Sequence, residues 1–213
     1  MSQRRIENSE KGERAKLEQA LEALRRGEVI VFPTETFYGL GADAFNGNAV
    51  ERVLGLKGRE PENPIPILVA DEQMLRSVVA QIPPLARRLM DHFWPGPLTL
   101  VLRAKKGLPV ALVNRSGGVG VRISSHPLAS RLVRGLGHPL TATSANPSGK
   151  EPARTIAEAM AYFSARLEIF IDGGRLPGRR GSTVVEIAQD QWRILREGEI
   201  GSEALERALG QND

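Results

Sequence analysis

The sequence predicts an α/β fold built on a mixed sheet, and three observations lead there. Short apolar runs of strand character alternate with segments of helical apolar spacing along most of the 213 residues. Several strand-like runs near the C-terminus follow one another with only loops between them, which a purely parallel sheet does not allow. Hydrophobic residues make up 41% of the chain, enough for one large domain to bury a core without covalent staples.

Taken in order, residues 1 to 12 are polar and are expected to form a flexible N-terminus. From Glu13, Leu17, Ala20, Leu21 and Leu24 recur at helical spacing and Gly27 supplies a stop, which predicts an amphipathic helix over 13 to 26. The run EVIVF then reads as a buried strand ended by Pro33. Further strands are predicted at 65–70, 98–102, 119–123, 139–143, 168–172, 183–187 and 192–196. Helical patterns fall between many of them, in NAVERVLGL, DEQMLRSVV, PLARRLMDHF, HPLASRLVRGL and TIAEAMAYF, and SEALERAL closes the series. No repeat, low-complexity tract or long linker interrupts this order, so one domain over 13–209 with a short tail at 210–213 is the simplest organisation.

Composition narrows the chemistry. The chain has no Cys, which excludes a disulfide framework, a Cys-ligated zinc and a thiolate nucleophile, and its three His are scattered. No apolar run approaches the roughly 20 residues of a membrane span, and the N-terminus has no apolar signal region, so a cytoplasmic protein with no membrane partner is expected. Net charge is +4. The excess is uneven: Arg115, Arg122, Arg154, Arg175, Arg179, Arg180, Arg193 and Arg196 are among the cations crowding the second half. That pattern suits a polyanionic ligand such as nucleotide or RNA, and equally a solvated basic face.

Five loops, each beside a strand, are rich in Gly, Pro, hydroxyls or Arg. In PTETFYGLGADAFNG, Thr34 and Thr36 flank Glu35, Gly39 and Gly41 permit tight turns, and Tyr38 and Leu40 are placed to plug the core. In KGREPENP, Lys57 and Arg59 supply two neighbouring cations, with Asn63 in a proline-fixed exit; Arg grips phosphate bidentately and Lys acts as a point charge, and a surface turn with salt bridges to Glu60 and Glu62 explains the pattern equally well. In RSGGVGVRISSHP, Arg122 sits inside an apolar strand pattern, where its charge needs either a ligand carboxylate or a neighbouring Asp or Glu. GGVG lacks the spacing of a dinucleotide fingerprint. The last two loops are TATSANPSGKEP and DGGRLPGRRGSTVVEI. Their short hydroxyls, Asn and exposed backbone N–H groups suit the wrapping of phosphate or ribose without a Walker lysine, and also suit plain turns.

The order and spacing of FPTETFYGLGADA, KGREPENPIPILVA, WPGPLTLVL, VGVRISSHP, TATSANPSG, DGG…GSTVVEI and ILREGEI resemble the YrdC-type family of threonylcarbamoyl-AMP synthases over roughly residues 13 to 209. The resemblance implies a twisted, open α/β sheet flanked by helices, with a basic concave cleft. It implies condensation of L-threonine, bicarbonate or CO2, and ATP into L-threonylcarbamoyladenylate and pyrophosphate. Mg2+ would accompany ATP, and a transferase complex would then modify adenosine 37 of tRNA.

By the same resemblance, Thr36, Arg122, Ala142 and Ser182 line a threonine pocket, with Arg122 on the substrate carboxylate. Lys57, Arg59, Asn63, Gly118, Ser144, Asn146 and Arg196 fall on the ATP side, and Lys57 and Arg59 stabilise charge on the phosphates. Three positions depart from many members: Leu68 replaces a His, Gly118 a Thr and Pro152 a Ser. The chain resembles the short, single-domain form. Two other classes fit parts of the pattern. One is a non-catalytic RNA-binding module, which the basic second half favours and the 5% aromatic content disfavours. The other is the carbamoyl-adenylate domain of hydrogenase-maturation proteins, whose acylphosphatase and zinc-finger segments this sequence lacks.

Overall fold

A computed structural model describes residues 2–58 and 64–210, with side chains described from Gly12 onward. Seven α-helices and nine strands alternate in mixed α/β order among the described residues. The first helix, α1 (Ser2–Arg25), begins well before the expected Glu13. Its described packing residues start at Leu17, and Leu17, Ala20, Leu21 and Leu24 are all buried, as their spacing requires.

Strand β1 (Ile30–Pro33) turns back into β2 (Tyr38–Gly41) in antiparallel register, Val31 facing Leu40. By sequence YGLG reads as loop. It pairs as a strand because Tyr38 and Leu40 are wholly buried and Gly39 and Gly41 lie against the Phe32 ring, where a Cβ on Gly41 would meet Phe32 at 2.8 Å.

Helix α2 (Gly47–Lys57) starts on an Asn46 cap, whose side-chain oxygen accepts from the Ala49 N–H, and stops at Gly58 in the left-handed conformation, φ 58°. Then come β3 (Ile67–Leu68), α3 (Glu72–Val78), α4 (Pro84–Phe93), β4 (Leu98–Arg103), β5 (Gly118–Arg122), α5 (Pro127–Leu136), β6 (Leu140–Thr141), β7 (Thr143–Ser144), α6 (Ile156–Phe163), β8 (Thr183–Ala188), β9 (Gln191–Arg196) and α7 (Ser202–Gly210).

The sheet forms in two hydrogen-bonded parts, β1-β2-β7 and β6-β3-β5-β4-β8-β9. They meet where the Thr141 N–H donates to Ala42 O and Asp43 bridges Leu140. The larger part is mixed, as predicted: β3 and β5 are parallel, as are β4 and β8, while β4–β5, β3–β6 and β8–β9 are antiparallel.

Two predicted strands need correction. The run at 139–143 is broken into β6 and β7, one in each part of the sheet, because the chain changes partners at Ala142, whose N–H donates to Pro66 O. The run at 168–172 makes only an isolated parallel bridge, Phe170 to Val31. There the chain leaves β1 for a loop anchored on Tyr38, whose hydroxyl has Gly174 O at 2.7 Å and Asp172 Oδ1 at 3.1 Å as alternative acceptors for its one proton and accepts from the Gly173 N–H. Burial, with the nearby Asp172, pushes the Tyr38 phenol up to about 12.

A surface triad of one carboxylate and two arginines makes stability depend on pH. Glu72 in α3 receives Arg87 from α4 and Arg76 from its own helix, and these bonds hold its carboxyl near 2 against an ordinary 4.5. A carboxyl lowered on folding adds stability above its unfolded value and loses it as pH falls toward the folded one. Thermal unfolding of the wild type should therefore weaken between about pH 4.5 and 2 more steeply than that of Glu72→Gln. Equal slopes would contradict the pairing.

Candidate active site

A cavity of about 920 Å³ opens where the two parts of the sheet meet, and the predicted loops converge on it. Lys57, Arg122, Arg180 and Arg196 line it, and among the described residues no carboxylate does.

Lys57 is the last residue of α2 and only 4% exposed. Its Nζ donates to Ser144 O at 2.7 Å and to Asn146 Oδ1 at 3.2 Å, while its backbone carbonyl accepts from the Ser148 N–H. The capped end of α2 is thereby laced to the TSAN loop. Asn146 closes that loop on itself, its Nδ2 donating to Pro147 O and Lys150 O. The hydroxyl-rich stretch thus holds an ammonium at the cavity wall, with Ser144 and Asn146 beside it.

Arg122 ends β5, buried, and its Nη1 is bound by Glu35. The other Glu35 oxygen accepts from Ser124 Oγ, and Ser124 in turn receives the N–H of His126, the cap of α5. Of the two partners the sequence leaves open for Arg122, a protein carboxylate is present. Glu35 takes one edge of a guanidinium that has five N–H donors, so the cavity-facing remainder can still meet a ligand carboxylate.

Hydroxyl polarity in the first loop follows from proton counting. Thr34 Oγ1 gives its one proton to Phe37 O at 2.7 Å and accepts from the Thr36 N–H. The 3.1 Å contact between the two hydroxyls must then be a donation from Thr36 to Thr34. Thr36 consequently offers lone pairs to the cavity.

The glycine-rich loop before β8 is built around this turn. The Gly178 N–H donates to Thr36 O, and a Cβ at Gly178 would lie 2.2 Å from that oxygen. Farther along, Glu199 accepts from the N–H groups of Arg179 and Arg180. Burial raises its carboxyl, yet these bonds and the two arginine charges outweigh it and hold the carboxyl below its ordinary value. Gly178→Ala should displace the Thr36 turn and, if the chain acts as the synthases it resembles, lower kcat/KM for threonine about tenfold or more, with the fold kept by circular dichroism. Unchanged kinetics would show that the close approach does not position Thr36.

Ser182 precedes β8, and Arg196 ends β9 opposite Val184. Arg196 Nη2 donates to Ser182 O at 2.8 Å and Oγ at 3.2 Å. Burial and the charge of Arg122 lower the Arg196 pKa, so the two guanidinium groups feel each other across the site. Arg196, which the resemblance puts on the ATP side, thus bonds directly to Ser182, which the resemblance puts in the threonine pocket.

Thr36, Lys57, Arg122, Ala142, Ser144, Asn146, Ser182 and Arg196 all line the cavity. Gly118 is buried outside the lining: its N–H is held by Asn114 Oδ1 at 2.7 Å, and a Cβ there would meet Val101 at 2.7 Å. Asn114 reaches the cavity instead. Pro152 is in the lining and Leu68 is buried in the core. Arg59 and Asn63 lie outside the described residues. Sequence reasoning missed Thr99 as a site residue, because a threonine in LTLVL reads as an ordinary strand former, and Arg180, one of several arginines in its loop.

An open mixed sheet on which cations, hydroxyls and backbone groups converge at one cavity defines the class of this protein as α/β with a polar cleft. A family model, Sua5_yciO_yrdC, described as telomere recombination, matches residues 22–198. The chain belongs to the Sua5/YciO/YrdC family.

It is 43% identical over 197 residues to the threonylcarbamoyl-AMP synthase of Bacillus subtilis, covering 90% of this chain and 56% of that protein. It is 41% identical over 174 residues to the enzyme of the same name from Thiobacillus denitrificans, covering 81% of this chain and 90% of that one. Among solved structures it resembles Pyrococcus abyssi Sua5 complexed with L-threonine, with TM-score 0.87 and 36% identity over 92% of this chain and 57% of that one. The chain spans just over half the length of the Bacillus and Pyrococcus relatives.

Proposed function

We propose that this chain is an L-threonylcarbamoyladenylate synthase, which joins L-threonine, bicarbonate or CO2, and ATP and releases pyrophosphate. The observation that supports it most is the convergence of Arg122, Ser182, Lys57 and Arg196 on one cavity whose described lining has no carboxylate. The names of the relatives, and the threonine in the Pyrococcus complex, fall in with it.

In this reading Arg122, oriented by Glu35, takes the threonine carboxylate, and Thr36 accepts from the substrate's N–H or O–H groups. A carbamate formed on the threonine amine attacks the α-phosphate of ATP: a new P–O bond forms, the bond to the β-phosphate oxygen breaks, and pyrophosphate leaves. Lys57 and Arg196, with Arg59 in the adjoining segment, neutralise the phosphates. Alignment and charge neutralisation do most of the work, which accords with a lining that has no carboxylate among the described residues.

Mg2+ enters with ATP, held by its phosphates. Among the described residues no group of three or more His, Asp or Glu gathers to hold a resident ion. The product would go to a tRNA-modifying threonylcarbamoyl transferase complex, and a cytoplasmic location belongs to the same proposal. Among the described residues no helix is long and apolar enough to cross a membrane. The test is product identity: with labelled bicarbonate, L-threonine and Mg·ATP, mass spectrometry should find the label in a threonine-containing adenylate. Label absent from any adenylate would refute the assignment.

A further inference from the structure

The strand register places Thr99, the second residue of β4, beside the start of β8, where Leu98 pairs with Thr183 and Thr99 with Val184. Thr99 is 2% exposed, and its hydroxyl donates to Ser182 Oγ at 2.9 Å. Arg196 donates to the same oxygen at 3.2 Å. A serine hydroxyl has two acceptor lone pairs and one proton. With both lone pairs filled from the protein side, the proton is what Ser182 has left to offer, and Ser182, Thr99 and Arg196 all line the cavity.

We propose that Thr99 is a positioning residue that sets the polarity of Ser182, making its hydroxyl an obligatory donor to a carboxylate-type oxygen of the amino-acid substrate. The proposal rests on the synthase reading. It gives a role to the hydroxyl of a threonine that stands among the apolar residues of LTLVL. It also gives the site a polarity: Thr36 presents lone pairs and Ser182 presents a proton, so an amino acid is told apart by which end meets which hydroxyl.

The test uses Thr99→Val, close in shape, with Thr99→Ser and Ser182→Ala, each checked for unchanged thermal unfolding. Calorimetric binding of L-threonine and steady-state kinetics are measured for all three and for the Thr99→Val, Ser182→Ala pair. Ser182→Ala should weaken binding or turnover tenfold or more, and Thr99→Val about fivefold. Thr99→Ser should return to within about twofold, and Thr99→Val should cost nothing further once Ser182 is alanine.

A loss in Kd would make the substrate's own carboxylate the acceptor. A loss confined to kcat, with the same coupling, would make it an oxygen formed after binding, as in the carbamate. Either result supports the proposal. Indifference to Thr99→Val, or a loss that adds fully to that of Ser182→Ala, overturns it alone. Wild-type protein that neither binds L-threonine nor releases pyrophosphate overturns the synthase reading and this proposal with it.

Discussion

Arg122→Ala is expected to raise the KM for L-threonine by roughly 30-fold or more while the KM for ATP moves much less. Removing one partner from a buried, charge-assisted contact costs about 2–5 kcal/mol, and each 1.4 kcal/mol is about tenfold. The same change strands Glu35, whose side chain is only 13% exposed and whose second oxygen is bound to Ser124. Breaking a buried pair on one side costs about 3–5 kcal/mol of stability, so a lower Tm should accompany the kinetic defect. Arg122→Ala, Glu35→Ala relieves the stranded carboxylate. It should recover part of the Tm and none of the threonine affinity. An unchanged threonine KM in the single variant would contradict the assignment of Arg122.

Lys57→Met is the second large effect. Methionine keeps much of the buried stem and removes the ammonium that binds Ser144 O and Asn146 Oδ1. Two acceptors then lose their donor, at about 1–3 kcal/mol each where water cannot replace it. The TSAN loop should loosen as well, seen as faster amide exchange at Ser148, whose N–H is held by Lys57 O. With a phosphate-facing charge also gone, kcat/KM for ATP should fall about 100-fold or more with little change in threonine binding. Exchange at Ser148 that stays at the wild-type rate would show that the ammonium does not order the loop.

The two variants touch parts of the site that were legible in the sequence to different degrees. Arg122 announced itself, because a guanidinium in VGVRI carries a cost that only a partner or a cleft removes. Its partner did not: Glu35 lies 87 positions away and meets it only after β1 turns and β5 lies beside β3. The helical spacing of TIAEAMAYF marks α6 nearly to the residue, and the structure adds the Thr155–Glu158 capping box at its start.

Strands were read less well where their length came from tertiary pairing. YGLG looks like a glycine loop, yet β1 and β7 complete it as the central strand of the smaller part of the sheet. EIFID has the β-branched and aromatic residues of a strand and finds only one bridge partner, since β1 departs after Pro33. The roles of hydroxyls were the least legible of all. Thr34, Thr36, Thr99 and Ser182 differ by which neighbour consumes their proton, and that depends on contacts between residues as far apart as 83 positions.

In the synthase reading one cavity joins an amino acid, a one-carbon unit and ATP. The most direct measurement is pyrophosphate release by the purified chain with Mg·ATP, with L-threonine and bicarbonate varied independently. Release that requires both, and stops when either is withheld, is the predicted result. Release with ATP alone, or none with all three present, would contradict the account.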